Sequence, residues 1–208
     1  MRIISGNLKG RKLIEPKDIN TRPLKDLTKE SIFNILEHSN LVRTKINNSK
    51  VLDLFAGTGS FGLECLSRGS SNVTFIENYP DASDVLKKNI EKFNCKDKSI
   101  VINEDILNDD IVTKLVDKKF DIIFLDPPYK TENFINVLNK IINIKILNKN
   151  GVIIIHRSKK TLENLPKKFQ IIQIKTYGIS KIIFGTNLLW LFFLFLFLLI
   201  LQTVGRMD

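Results

Sequence analysis

The chain has 208 residues, enough for one sizeable core and too few for two full α/β domains, so one domain is expected. Lys and Arg number 32 against 22 Asp and Glu, a formal net charge of +10, which favours a polyanionic partner, nucleic acid before membrane. Two cysteines and two histidines, widely separated and with no secretory leader before them, argue against a disulfide framework or a metal cluster, so a cytosolic protein without a metal is expected.

In chain order, "RIISGNLKGRKLIEP" holds two short extended runs around a glycine-flanked turn and predicts a small basic hairpin. Next, "TRPLKDLTKESIFNILEH" predicts a helix opening near Thr28, with Ile32, Phe33, Ile35 and Leu36 on its inner face. From Lys50 to Phe184, apolar runs rich in Val, Ile and Phe alternate with longer amphipathic segments, the βαβα pattern of a parallel sheet covered on both faces. Strands are predicted over 50–54, 72–77, 99–102, 120–125, 151–156, 169–175 and 180–184, and helices over 60–68, 80–94, 109–116 and 132–147. The strands do not alternate apolar with polar, so burial on both sides is expected. The implied division is 1–28 for the basic N-terminal extension, 29–186 for the α/β domain and 187–208 for a tail.

Two stretches carry the chemistry. "VLDLFAGTGSFG" puts Asp53 at the end of the first core strand, Phe55, Gly57 and Gly59 in the turn, and a helix from about Ser60. Gly57, Gly59 and Gly62 spell G-x-G-x-x-G, and Glu77 follows twenty residues after Gly57, where an acid takes ribose hydroxyls. A dinucleotide and S-adenosylmethionine both fit this spacing. Asp53 in the mouth of the loop repels a pyrophosphate and suits the ammonium of a methionine moiety, and Asp105 in "NEDIL" is placed to accept from an adenine amino group. The second stretch, "FDIIFLDPPYK", ends a buried strand on a carboxylate, two prolines and an aromatic ring. Pro127 drives Asp126 into an extended backbone, and the two rings remove successive N–H donors. A rigid corner follows, offering an acceptor side chain, backbone carbonyls and the Tyr129 ring to a planar group that bears an amine.

Together, "RIISGNLKGRKL", "TRPLKDLTKESIFNIL", "VLDLFAGTGSFGLECLSRG", "FIE" and "LDPPY" resemble the bacterial RsmD family, from Arg2 to about Phe184. The resemblance implies a Rossmann-like class I S-adenosylmethionine-dependent methyltransferase with a seven-stranded, mostly parallel sheet and a small basic N-terminal hairpin. It implies methylation of the exocyclic N2 amine of a guanine in 16S rRNA, free or in an assembling small subunit, by a monomer that needs no metal. Asp53, Phe55, Gly57, Gly59, Glu77 and Asp105 would hold the donor, and Asp126, Pro127, Pro128 and Tyr129 would form the catalytic motif. Arg2, Lys9, Arg11 and Lys12 would contact RNA phosphates; Arg22 and Lys29 would either do the same or pin their segment over the donor pocket. D-P-P-Y also serves N6-adenine methyltransferases, and the N-terminal motifs are what argue against that alternative.

The chain departs from the family after "YGISKIIFG". Fourteen apolar residues run from Leu188 to Leu201, short of the roughly twenty that span a bilayer. An adventitious extension, a membrane anchor and a partner-packing segment are the three readings of this tail, with membrane contact not the favoured one.

Overall fold

The structure, a computed structural model, describes residues 1–16, 24–108, 111, 114–128, 134–161 and 164–188. The apolar runs become strands β1 (Lys50–Leu54), β2 (Asn72–Ile76), β3 (Ser99–Ile102), β4 (Phe120–Leu125), β5 (Leu147–Ser158), β6 (Phe169–Tyr177) and β7 (Ser180–Asn187). They form one seven-stranded sheet in the order β3-β2-β1-β4-β5-β7-β6. The first five pair in parallel, and β7 inserts antiparallel between β5 and its hairpin partner β6.

Successive side chains of a strand point to opposite faces, so an unbroken apolar run feeds two cores. Val51, Ile122 and Phe124 join one core, while Leu52, Leu54, Ile123 and Leu125 join the other. Helices α1 (Asp26–His38), α2 (Ser60–Ser67) and α3 (Pro80–Lys92) cover the first face through Phe33, Phe61 and Leu86. Helix α4 (Phe134–Asn143) covers the second through Phe134, Leu138 and Ile141.

The last helix is shorter than its periodicity predicts. Ile144, Ile146 and Leu147 continue the apolar spacing, but Lys145 takes a left-handed backbone (φ 55) and breaks the helix, so Leu147 instead opens β5 opposite Phe120. The helix expected over 109–116 falls partly outside the described residues; Ile111 and Leu115 are buried in the second core. At the other end β7 continues past the expected 184: Asn187 is buried, and Leu188 N–H donates to the Lys168 carbonyl at 2.8 Å. Asn187, where the tail was expected to begin, is therefore the last residue of a strand. The tail from 189 on lies outside the described residues, and among those residues no helix is long and apolar enough to cross a membrane.

The N-terminal residues do form a hairpin, though Arg2 and Lys12 pair only as a single antiparallel bridge, with Ile3 N–H donating to the Arg11 carbonyl. Ile3 and Leu13 are buried in the first core, and Asn7 N–H caps the α2 end at the Ser67 carbonyl. The hairpin is thus seated on α2 rather than free of it.

Candidate active site

Strands β1 and β4 are neighbours with Leu54 opposite Leu125, and the chain order reverses between them. Ligands collect at the carboxyl edge of an open α/β sheet at such a switch point. A cleft of about 280 Å³ lies there. Its walls come from the β1–α2 loop, the end of β2 and the corner after β4.

The β1–α2 loop is shaped by its backbone. Phe55 and Gly57 both have positive φ, and Gly59 (φ 82) stands at the N-terminus of α2, where a Cβ would lie 2.4 Å from a Leu86 methyl. At Gly62 a Cβ would meet the Phe75 ring at 2.3 Å, so the missing side chain lets α2 press onto β2. That close approach puts Gly62 N–H 3.0 Å from Asp53 Oδ2. Glu77, just after β2, accepts from Gly57 N–H at 2.6 Å and from Tyr79 N–H at 2.8 Å, tying the two loops together. Phe33, Phe61 and Phe124 stack in sequence, with centroids 5.2 and 4.0 Å apart, beneath the cleft.

Charge at this site is one-sided. Asp53, Glu77 and Asp126 all line the cleft, and no Lys, Arg or His is among the described residues lining it. Burial pushes the Asp53 carboxyl well above the usual range; the Gly62 N–H opposes this, and the Asp126 and Glu77 charges reinforce it. A pyrophosphate would be repelled here. A ligand carrying a sulfonium and an ammonium would relieve the repulsion, so the residues present fit S-adenosylmethionine better than a dinucleotide.

The structure brings Asp53, Phe55, Gly57, Glu77, Asp126, Pro127 and Pro128 to one cleft, with Gly59 in the loop behind it. Asp105 is not among the residues lining the cleft; its carboxylate turns back to accept from Leu107 N–H at 2.9 Å. Tyr129 and Arg22 lie outside the described residues.

Lys29 corrects the phosphate-contact expectation. It is fully buried, donates to the Arg2 carbonyl at 2.7 Å and to Ser60 Oγ at 3.1 Å, and sits 3.7 Å from Glu64. Burial lowers its pKa below the lysine range, opposed mainly by Glu64 and Asp26. The motif "LTKES" turns it inward on α1, where it pins the hairpin to α2. Arg2, Lys9, Arg11 and Lys12 are exposed, but the Arg11 guanidinium donates to the Lys92 carbonyl at 2.6 Å and lies 4.7 Å from the Phe93 ring centroid. Arg11 thus anchors the hairpin to α3, leaving Lys9 and Lys12 as clearer candidates for phosphate contact.

Sequence reasoning did not find His156 and Arg157, which touch the corner from β5: His156 Nδ1 is 2.9 Å from Asp126 Oδ1, and Arg157 donates to the Pro128 carbonyl at 3.0 Å. The available signal was two polar residues closing the apolar run "GVIII". Asn78 and Tyr79, which follow Glu77, also line the cleft.

The family described as conserved hypothetical protein 95 matches residues 1–186. A "Ribosomal RNA small subunit methyltransferase D" from Buchnera aphidicola is 35% identical over 173 residues, 83% of this chain and 86% of that one. One of the same name from Haemophilus influenzae is 33% identical over 180 residues, covering 86% and 90%. A solved Escherichia coli structure assigned as a methyltransferase superposes with a TM-score of 0.73 at 26% identity, covering 90% of this chain and 97% of that one.

Proposed function

The chain belongs to the conserved hypothetical protein 95 family, which is the RsmD family, and from that membership we propose that it methylates the N2 amine of a guanine in small-subunit ribosomal RNA. The observation that supports the reading is the cleft itself: three carboxylates with no cation among the described residues that line it, beside a rigid Asp–Pro–Pro corner at the switch point. S-adenosylmethionine, when bound, supplies an electrophilic methyl on a sulfonium. Asp53 receives its ammonium and Glu77 its ribose hydroxyls.

A guanine exocyclic amine is a poor nucleophile because its lone pair is drawn into the ring. Acceptance of its hydrogens by the Asp126 carboxylate and the Pro127 carbonyl localises that pair on nitrogen. As the N–C bond forms, the bond from the methyl to the donor's sulfur would break, leaving a neutral thioether, and the amine sheds one proton to Asp126, which passes it to solvent. Tyr129, which lies outside the described residues, would stack on the base as the family resemblance implies. Holding the amine in line with the methyl supplies much of the rate. The same tetrad can serve adenine N6, so the methylated nucleoside decides between the two.

Two expected results test the halves of this reading. Asp53→Ala should weaken S-adenosylmethionine binding by about 1–3 kcal/mol, the worth of a charged hydrogen bond. In the unsubstituted protein, donor affinity should tighten as pH rises above the ordinary carboxylate range. Asp53 has a raised pKa, holds its proton longer than usual and must release it to meet a cation. Calorimetry in buffers of different ionisation enthalpy checks both; unchanged affinity in the variant and no proton release would move the donor elsewhere.

For the RNA, replacing Lys9 and Lys12 together by Ala should make the slope of log K against log salt shallower by roughly two units, about one for each phosphate no longer neutralised. An unchanged slope in an RNA titration would return both lysines to a merely solvated face.

A further inference from the structure

Two consecutive residues at the end of β5 grip the corner from the neighbouring strand. The pairing of β4 with β5 ends at Leu125 and Ile155, so Asp126 and His156 come next on each strand. His156 is buried; its Nδ1 lies 2.9 Å from Asp126 Oδ1, and its Nε2 lies 2.9 Å from Ser180 Oγ at the start of β7. Arg157, also buried, reaches the other side of the same corner, as alternation along a strand requires. Its Nη1 donates to the Pro128 carbonyl at 3.0 Å and more weakly to the Pro127 carbonyl at 3.4 Å, with the guanidinium carbon 4.4 Å from the Phe134 ring centroid.

We propose that His156 is a positioning residue for methyl transfer: it fixes one oxygen of Asp126 so that the other faces the acceptor amine, and Ser180 holds its ring in place. The proposal rests on Asp126 being the acceptor of the amine's hydrogens. An ionised carboxylate only accepts, so the ring proton facing it sits on Nδ1, while Ser180 engages Nε2. The need for such a clamp is physical. The terminal torsion of an aspartate is broad and roughly two-fold, unlike a staggered sp³ torsion. A carboxylate free to turn would spread its acceptor lone pairs over many directions, and a misplacement of about 1 Å at a reacting group can cost about a hundredfold in rate. His156 and Arg157 together leave the corner with a defined carboxylate plane and defined carbonyl directions.

The test uses full-chain His156→Ala, His156→Leu, His156→Asn and Ser180→Ala, with Asp126→Ala alongside. Methyl transfer is followed under single-turnover and steady-state conditions, and donor affinity and melting are measured on each. His156→Ala should lower kcat by roughly tenfold to a hundredfold, with RNA KM and donor Kd within about a factor of two. His156→Leu, which keeps an apolar filling and removes the N–H, should behave the same and replaces the Ala variant if that one does not fold. His156→Asn, whose amide N–H can take over from Nδ1, should recover most of the loss, and Ser180→Ala should show a smaller fall in kcat.

Wild-type kcat in the Ala or Leu variant while Asp126→Ala is inactive overturns the proposal. So does a loss that Asn fails to recover in a protein of unaltered melting, because the hydrogen bond would then not be the cause. If Asp126→Ala itself turns over normally, the assignment of Asp126 is what fails.

Discussion

Replacing Asp126 by Ala is expected to lower methyl transfer by about a hundredfold or more while leaving S-adenosylmethionine affinity within a few-fold. The carboxylate lines the cleft just beyond the end of β4, one strand over from Asp53, and the role proposed for it is acceptance from the substrate amine. Removing one positioned group that meets developing charge in the transition state typically costs 10²–10³ in rate, about 3–4 kcal/mol. Ground-state donor binding is proposed to rest on Asp53 and Glu77 instead, so kcat should fall with little change in donor Kd. Single-turnover transfer and donor calorimetry on the same preparation check this. Wild-type turnover in the variant would remove Asp126 from the chemistry, and a collapse of donor affinity would assign it to the donor.

The second large effect is on stability. Lys29→Ala should destabilise the fold by about 3 kcal/mol, the lower part of the range for removing one partner of a buried ion pair. Glu64 is fully buried and is shared by Lys29, by Arg68 Nε at 2.8 Å and by the backbone N–H groups of Ile4 and Ser5 at 2.7 and 2.9 Å. Loss of the ammonium leaves the Arg2 carbonyl and Ser60 Oγ without its two hydrogen bonds. For a chain of this size, about 3 kcal/mol corresponds to a fall in melting temperature of roughly 6–12 °C. A thermal melt reads it. An unchanged melt combined with weakened RNA binding would return Lys29 to phosphate contact.

The central strands were legible because they are short apolar runs bounded by turn residues, and both-face burial erases the alternation that a half-exposed strand would show. The edge strands β3 and β6, also expected to be buried on both sides, are instead largely half-buried or exposed. The cleft was legible for a related reason. Asp53, Glu77 and Asp126 each stand at or just beyond the end of an apolar run, and strands that pair in register bring such positions together. What stayed hidden depends on direction rather than pattern. Lys29 sits on a helix whose sequence does not say that Glu64 waits beneath it, so phosphate contact and a pinning role stayed open together. Lys145 ends α4 by backbone conformation while the apolar spacing runs on to Leu147. His156 was read as one of two isolated histidines because its partners, Asp126 and Ser180, are thirty and twenty-four residues away. Asp105 has a local partner that its spacing did not show: an aspartate two residues before a backbone N–H readily accepts from it, as Asp105 Oδ1 does from Leu107.

The measurement that tests the account most directly is product identification. The full chain is incubated with labelled S-adenosylmethionine and, separately, small-subunit RNA, assembling small subunits, large-subunit RNA and DNA, and each is digested to nucleosides. Label is expected in the small-subunit samples alone, as N2-methylguanosine, and is expected to be absent when Asp126→Ala replaces the unsubstituted protein. Label in N6-methyladenine, or label in DNA or large-subunit RNA without any in small-subunit RNA, would contradict it.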